Sequence, residues 1–349
     1  MRYFFLISVV FSTLAGCVSA PKATVPATGS GGAAALPEAN IPTAKNATGS
    51  DIQHELDLKS TTPFIQAAAK GRLAEMRELL KQGAEINAQS MPGVTALMAA
   101  VRKDRVDVVE FLLQEGADPH MRDREGATAL HFAALGNSPR SVQLLVSHGA
   151  RLETKDSFDL TPLMMAARFA DLPTVKALLN AGASVDTTDT DGWTALTFTI
   201  PRGDPAIFDT ILDRSPRLNI LDNDGQSMLA IAIDYDQPAL VRHLMDAGIR
   251  LDLVDRDGNT PLHLSAKARK ADYVGWLIEA KVQIDAQNYK GQTALMLAVQ
   301  NQDQDMVTAL IKAGANPTLK DHNGKSAADE AERLHLPAEL LHPPAAKAS

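Results

Sequence analysis

Between about residue 60 and residue 341, apolar residues fall in paired short clusters rather than long runs. In the stretch 258–290, Leu262, Leu264 and Ala266 form one cluster, and Val274, Leu277 and Ile278 follow at i, i+3, i+4 spacing. The first is the buried side of a short helix, and the second is the stripe of another helix packed on it. Asp257-Gly258 ahead of them predicts a tight turn, the glycine tolerating positive φ. Thr260 is placed to cap a helix whose first residue is Pro261, where a missing N–H costs nothing.

This turn-helix-helix unit recurs every 33 residues. Gly93-Val94-Thr95-Ala96-Leu97 returns in register at Gly126, Gly192, Gly225, Gly258, Gly291 and Gly324, with Asp159 holding the same place. Ser60-Thr61-Thr62-Pro63-Phe64 fits one period earlier, giving nine registers without an insertion. Thr161-Pro162-Leu163 and Thr260-Pro261-Leu262-His263 open first helices, and Gly-Ala closes second helices at Gly83, Gly116, Gly149, Gly182 and Gly314. The period and these motifs resemble the ankyrin repeat. The resemblance implies an all-α solenoid of helix pairs with β-hairpin-like turns over residues 60–341, seven internal repeats plus two caps. One helix pair cannot bury its apolar faces alone, so stacking is expected to make one continuous core. The last unit reads as a cap: Asp329, Glu330, Glu332 and Arg333 make its helix polar, and Pro337 can start a short final helix before the tail 342–349.

The N-terminus has another character. Arg2 precedes an apolar run from Tyr3 to Ala15, ending in Leu14-Ala15-Gly16-Cys17. This resembles the lipobox of bacterial lipoproteins, which implies a signal peptide over 1–16 and a lipid on Cys17. The run falls well short of the roughly 20 residues a membrane span needs. Residues 17–59 are rich in Ala, Pro, Thr, Gly and Ser and are expected to be a disordered linker. Val18 after the cysteine, where an Asp resembles an inner-membrane retention signal, implies the outer membrane and its periplasmic face.

Hydrophobic residues make up 45% of the chain but aromatics only 5%, which favours helices packed through Ala, Leu, Val and Met. A net charge of −8 and the absence of a Lys/Arg run argue against nucleic acid. The single cysteine rules out an internal disulfide or a cysteine metal cage. Acidic turns at Asp189, Asp222 and Asp255 superficially suggest calcium loops, but Phe198, Ile231 and Leu264 stand where a bidentate Glu is needed. These Asp residues are expected to accept backbone N–H bonds instead. His131 and His263 have no ligand partners at matching spacings and are expected to hold turns by hydrogen bonds. No catalytic motif is recognisable, so the reading is a monomeric, non-enzymatic protein without cofactor, metal or small-molecule substrate.

Ankyrin arrays resemble a cupped hand, and the resemblance implies a protein partner on the concave face of hairpin tips and first-helix ends. In this chain the tip positions include Phe158, Leu160, Trp193, Arg256 and Tyr289, and the first-helix ends include Arg168, Phe169, Arg202, Asp234 and Tyr235. Aromatics and Arg at solvated positions are the types that anchor interfaces. Phe169, Arg202 and Tyr235 share one register in three successive repeats and are expected to form a ladder in a patch over residues 156–237. The alternative is that these aromatics merely pack between hairpins and cover loop backbone. The same region departs most from the repeat, at Asp159, Ile200-Pro201 and Ser215-Pro216, which marks either function or a soft joint. Three functions suit the features: a lipid-anchored module binding one protein, a protective or immunity-type protein that occludes a toxin or stabilises an envelope enzyme, and a secreted effector that meets host proteins.

Overall fold

Threonine and serine at one register start the first helix of each unit. Thr62, Thr95, Thr161, Thr194, Ser227, Thr260, Thr293 and Ser326 all hold extended backbone, and each side chain accepts the N–H of the residue three positions on. The computed structural model describes residues 61–341; Cys17 and the stretches expected to be signal peptide, linker and tail lie outside the described residues.

The described residues form seventeen α-helices, in eight pairs and a capped end. The pairs are α1 (Pro63–Lys70) with α2 (Leu73–Lys81), α3 (Ala96–Arg102) with α4 (Val106–Gln114), α5 (Ala129–Leu135) with α6 (Pro139–Ser147), and α7 (Pro162–Phe169) with α8 (Leu172–Asn180). Then come α9 (Ala195–Thr199) with α10 (Pro205–Leu212), α11 (Met228–Asp234) with α12 (Pro238–Asp246), α13 (Pro261–Lys267) with α14 (Ala271–Glu279), and α15 (Ala294–Gln300) with α16 (Gln304–Lys312). The ninth unit is α17 (Ala327–Arg333) and a 3₁₀ turn, Ala338–Leu341, started by Pro337 as expected. First helices pack on first helices and second on second, in two rows. Sheet character is confined to the isolated bridges Leu221 to Ser227 and Lys320 to Ser326 among the described residues. The architecture is the expected all-α repeat solenoid.

The first helices are buried more completely than their apolar spacing suggests. In α13 every residue from Pro261 to Ala266 is buried, not only Leu262, Leu264 and Ala266. Each sits between two neighbouring first helices and its own partner helix, so no side faces water. Fully buried leucines such as Leu130 and Leu178 each contribute about 1.5–3 kcal/mol. The core is not one cluster but two, overlapping in repeat seven: Leu264 and Tyr273 belong to the N-terminal cluster, Leu262 and Leu277 to the C-terminal one. Met245 and Leu251 pack against both and close the seam.

The two helices of a repeat are joined through left-handed backbone, at non-glycine residues in Asp104, Asn137, Asp236, Arg269, Gln302 and His335. This second 33-residue register is hidden in the sequence because its side chains differ. It fails at Ala170, which is extended (φ −84°, ψ 171°). One repeat later, α9 is only five residues long, because Pro201 has no N–H with which to continue it. Consequently α9 and α11 meet only weakly, unlike the other neighbouring first helices.

Candidate partner-binding face

The hairpins carry their own internal scaffold. Asp123, Asp156, Asp189, Asp222, Asp255, Asn288 and Asp321 occupy one register, and the Oδ1 of each accepts N–H groups two and four residues on. For Asp222 the donors are Asp224 (2.9 Å) and Gln226 (2.7 Å). Burial raises the pKa of Asp123, Asp156 and Asp189, and these N–H bonds oppose the rise. The carboxylates therefore serve the turn, as expected. Successive tips are zipped by backbone bonds: Arg124 N–H to Pro92 O (3.0 Å), Ser157 to Glu125 (2.7 Å), Asn223 to Asp191 (2.8 Å), Tyr289 to Asp257 (2.9 Å) and His322 to Lys290 (3.0 Å).

A further ladder was not foreseen from the sequence. Asn87, Glu153, Asp186, Asn219 and Asp285 share a register, and each side chain accepts the backbone N–H 31 residues on, at 2.8–2.9 Å. The signal was a short polar acceptor at fixed period. His131 and His263 also fasten neighbours. His131 Nε2 lies 3.0 Å from Leu160 O, and His263 Nε2 lies 2.9 Å from Gln292 O, both in the following hairpin. A carbonyl only accepts, so Nε2 carries the proton and Nδ1 accepts from the helix-capping Thr128 and Thr260 N–H at 3.1 and 3.2 Å. Burial pushes the pKa of His131 down to about 4 and lowers that of His263. They hold the next repeat's hairpin as well as the capped start of their own helix.

Hairpins and first-helix ends share one face. Gln226 in a hairpin donates to Asp234 Oδ2 at the end of α11 (3.2 Å), and the charge of Asp255 in the next hairpin reaches Asp234. Arg168 lies over the Phe169 ring, 4.9 Å from its centre. Burial raises the pKa of the Tyr235 hydroxyl, and the charges of both Arg168 and Asp234 act on it. The charge of Arg168 in repeat four thus reaches Tyr235 in repeat six past short α9, so Arg168, Phe169, Asp234 and Tyr235 lie along one stretch of the face. Phe169 and Tyr235 are half-buried, their inner edges on the core.

The other expected contacts divide. Leu160 is a correction: at 6% exposure it is a core residue, sharing its register with buried Val94 and Ala127. Trp193 is in that register too but is too large for it, and emerges half-buried. Its ring meets Phe198 edge-on at 5.4 Å, and its Nε1–H donates to Asp222 Oδ2 (3.2 Å), so it packs between hairpins. Phe158 is also half-buried against the core. The expected ladder breaks at Arg202, which turns to the Ala170 carbonyl and to Asp204 (3.4 Å). The extended backbone at Ala170 leaves that carbonyl available. Arg256 bonds Asp224 (3.1 Å) and the Asn223 carbonyl, bracing adjacent tips. Tyr289 is 66% exposed and lies over Gly258. Met91, 68% exposed, was missed, although it stands in the same tip register as Tyr289.

The family model for ankyrin repeats (3 copies) matches residues 33–123, 115–189, 163–255 and 235–321, overlapping segments that together span most of the chain. The chain is an ankyrin-repeat protein. No curated protein matches it. The ankyrin match starts at residue 33, inside the stretch expected to be linker, while the described helices start at Pro63. Ankyrin repeats are scaffolds for protein–protein interaction. Among the described residues of this ankyrin array, no three His, Cys, Asp or Glu side chains are grouped to hold a metal, and no helix is long and apolar enough to cross a membrane.

Proposed function

We infer that this ankyrin protein is a membrane-tethered binding module, which captures one protein partner in the bacterial envelope on the face of its hairpin tips and first-helix ends. The observation that carries the reading is the Arg168–Phe169 cation–π pair on repeat four, whose charge reaches half-buried Tyr235 beside exposed Asp234 on repeat six, with short α9 between them. A cation–π pair, a second half-exposed aromatic and a carboxylate lie along the face where the repeat is interrupted, and such residues anchor interfaces. The tether rests on Leu14-Ala15-Gly16-Cys17: two or more acyl chains at about 0.8 kcal/mol per buried CH₂ anchor stably where one does not.

The test is affinity recovery from solubilised envelope with the full chain and with Phe169→Ala plus Tyr235→Ala, both on this stretch and neither bonded to another hairpin. Loss of a protein recovered by the wild type supports the reading. Equal recovery by both removes the face as the binding site. Labelling with a lipid precursor, before and after Cys17→Ala, tests the anchor separately. A toxin or an envelope enzyme as the recovered protein identifies the protective role.

A further inference from the structure

The same face is divided by charge. Arg102, Lys103, Arg122, Arg124 and Lys155 stand on repeats two to four, and none is ion-paired with a carboxylate among the described residues. Arg122 and Lys155 point their donors at carbonyls, Gly126 O at 3.0 Å and Thr188 O at 2.8 Å, which fixes the side chains without neutralising them. Arg102 is half-buried in the last turn of α3, and burial lowers its pKa, a charge lacking compensation. Glu125 is an exposed carboxylate at the tip, Asp104 and Glu153 are exposed but accept hydrogen bonds from the next repeat, and Asp123 and Asp156 are enclosed in their turns.

Repeats five to seven carry mostly the opposite sign, although the exposed Lys267 at the end of α13 acts on Asp234 from within them. Asp191, Asp224, Asp234 and Asp257 are exposed, and of these only Asp224 has an ion-pair partner, Arg256. Phe169 and Trp193 lie where the two fields meet, and Tyr235 stands within the acidic one. Neighbouring helices stack about 8–10 Å apart, so the three steps from the hairpin of Arg122 to that of Asp224 span roughly 27 Å. Extended chain advances about 3.3 Å per residue, so roughly eight to ten residues bridge them.

We propose that the partner lays an extended protein segment along this face, acidic where it meets Arg122 and Arg124 and basic where it meets Asp224 and Asp257. This rests on the binding reading above and adds the partner's chemistry and direction. Charges on the rim steer the encounter and fix the register, while the aromatics between them supply the desolvated contact.

The test uses the full chain and labelled peptides of about a dozen residues, read by fluorescence anisotropy. One peptide has a Glu block, a central Tyr and a Lys block; its control has the same composition with Glu and Lys alternating. At low salt the block peptide is expected to bind at least about tenfold tighter, the preference fading toward 0.5 M salt, where screening lengths fall below about 5 Å. Arg122→Glu with Arg124→Glu, or Asp224→Lys with Asp257→Lys, is expected to abolish the preference. All four together should restore it with the peptide reversed, seen as a photo-crosslinker on the Glu block moving between the two hairpins. All are exposed side chains, and circular dichroism checks that each variant folds. Equal binding of both peptides overturns the proposal, as does a dimer of this chain that both reversals dissociate, which would make a second copy the occupant. Either result leaves the envelope capture by Phe169 and Tyr235 standing or falling on its own.

Discussion

Gly182→Ala and Gly258→Ala make the same backbone demand in two different surroundings. Both glycines are left-handed, at φ 95° and 79°. Holding an L-residue there costs about 1–2 kcal/mol, partly offset because alanine has less freedom to lose on folding, so the backbone part nets about 1 kcal/mol. Around Gly182 an added Cβ meets nothing within 4 Å. At Gly258 it would stand 2.6 Å from Tyr289 Cδ1 and 2.7 Å from the Tyr289 nitrogen. The exposed ring can swing aside, but that N–H is bonded to Asp257 O at 2.9 Å and can retreat only by breaking the zip between tips. Overpacking adds about 1–3 kcal/mol, so Gly258→Ala should lose about 3 kcal/mol against about 1 for Gly182→Ala. Urea unfolding followed by fluorescence reads both, since Trp193 lies in the hairpin that follows Gly182 and Trp276 in α14 of the repeat that Gly258 opens. The slope should hold constant while the midpoint moves. An equal loss at the two sites would refute the claim that the tip of the next repeat sets the requirement for glycine.

Lys281 holds left-handed backbone (φ 56°) where every other repeat but the one with Ser215 has glycine, so Lys281→Gly is expected to raise stability by about 0.5–1 kcal/mol in the same urea assay. Thr174 Oγ1 is fully buried without a hydrogen-bond partner; Thr174→Val should gain up to about 1 kcal/mol, seen as a higher thermal midpoint. His131 has a folded pKa of about 4 against an ordinary 6.5, so the unfolded chain takes up a proton that the folded chain refuses. Its contribution is complete above pH 6.5 and is lost as pH falls toward 4, by on the order of 3 kcal/mol. The raised carboxyls of Asp123, Asp156 and Asp189 act with the opposite sign, since protonation relieves their burial. His131→Gln isolates the imidazole: it should be less stable at pH 7 but show a shallower loss between pH 6.5 and 4, and an unchanged slope would reject the assignment.

What could be read from the sequence was whatever recurs as the same residue for the same reason. Thr or Ser before each first helix, the Asp three residues ahead of most turn glycines and the 33-residue spacing all answer backbone demands that return unchanged, and they gave the architecture. The inter-helix joints were not legible, because Asp104, Asn137, Arg269 and Gln302 share a conformation but not a chemistry. On the binding face, Leu160 was misplaced by its nearness to the tip. Its register mates Val94 and Ala127, small and apolar, were the sign that this position faces inward. Pro201 announced that α9 would be short, but the turning of Arg202 toward Ala170 depends on the unusual backbone of another repeat, which no local pattern reveals.

The fastenings between repeats each reach one unit ahead, whether through tip zips, through acceptors 31 residues apart or through the two histidines. Apart from the charge of Arg168 felt two units on at Tyr235, wiring of this kind passes a disturbance from neighbour to neighbour, so a change at repeat eight must cross five intermediate units to be felt at repeat two. Such a chain can also gain or lose a whole unit and need only two new handshakes to close the gap, which leaves its reach open to revision while every joint keeps the same design.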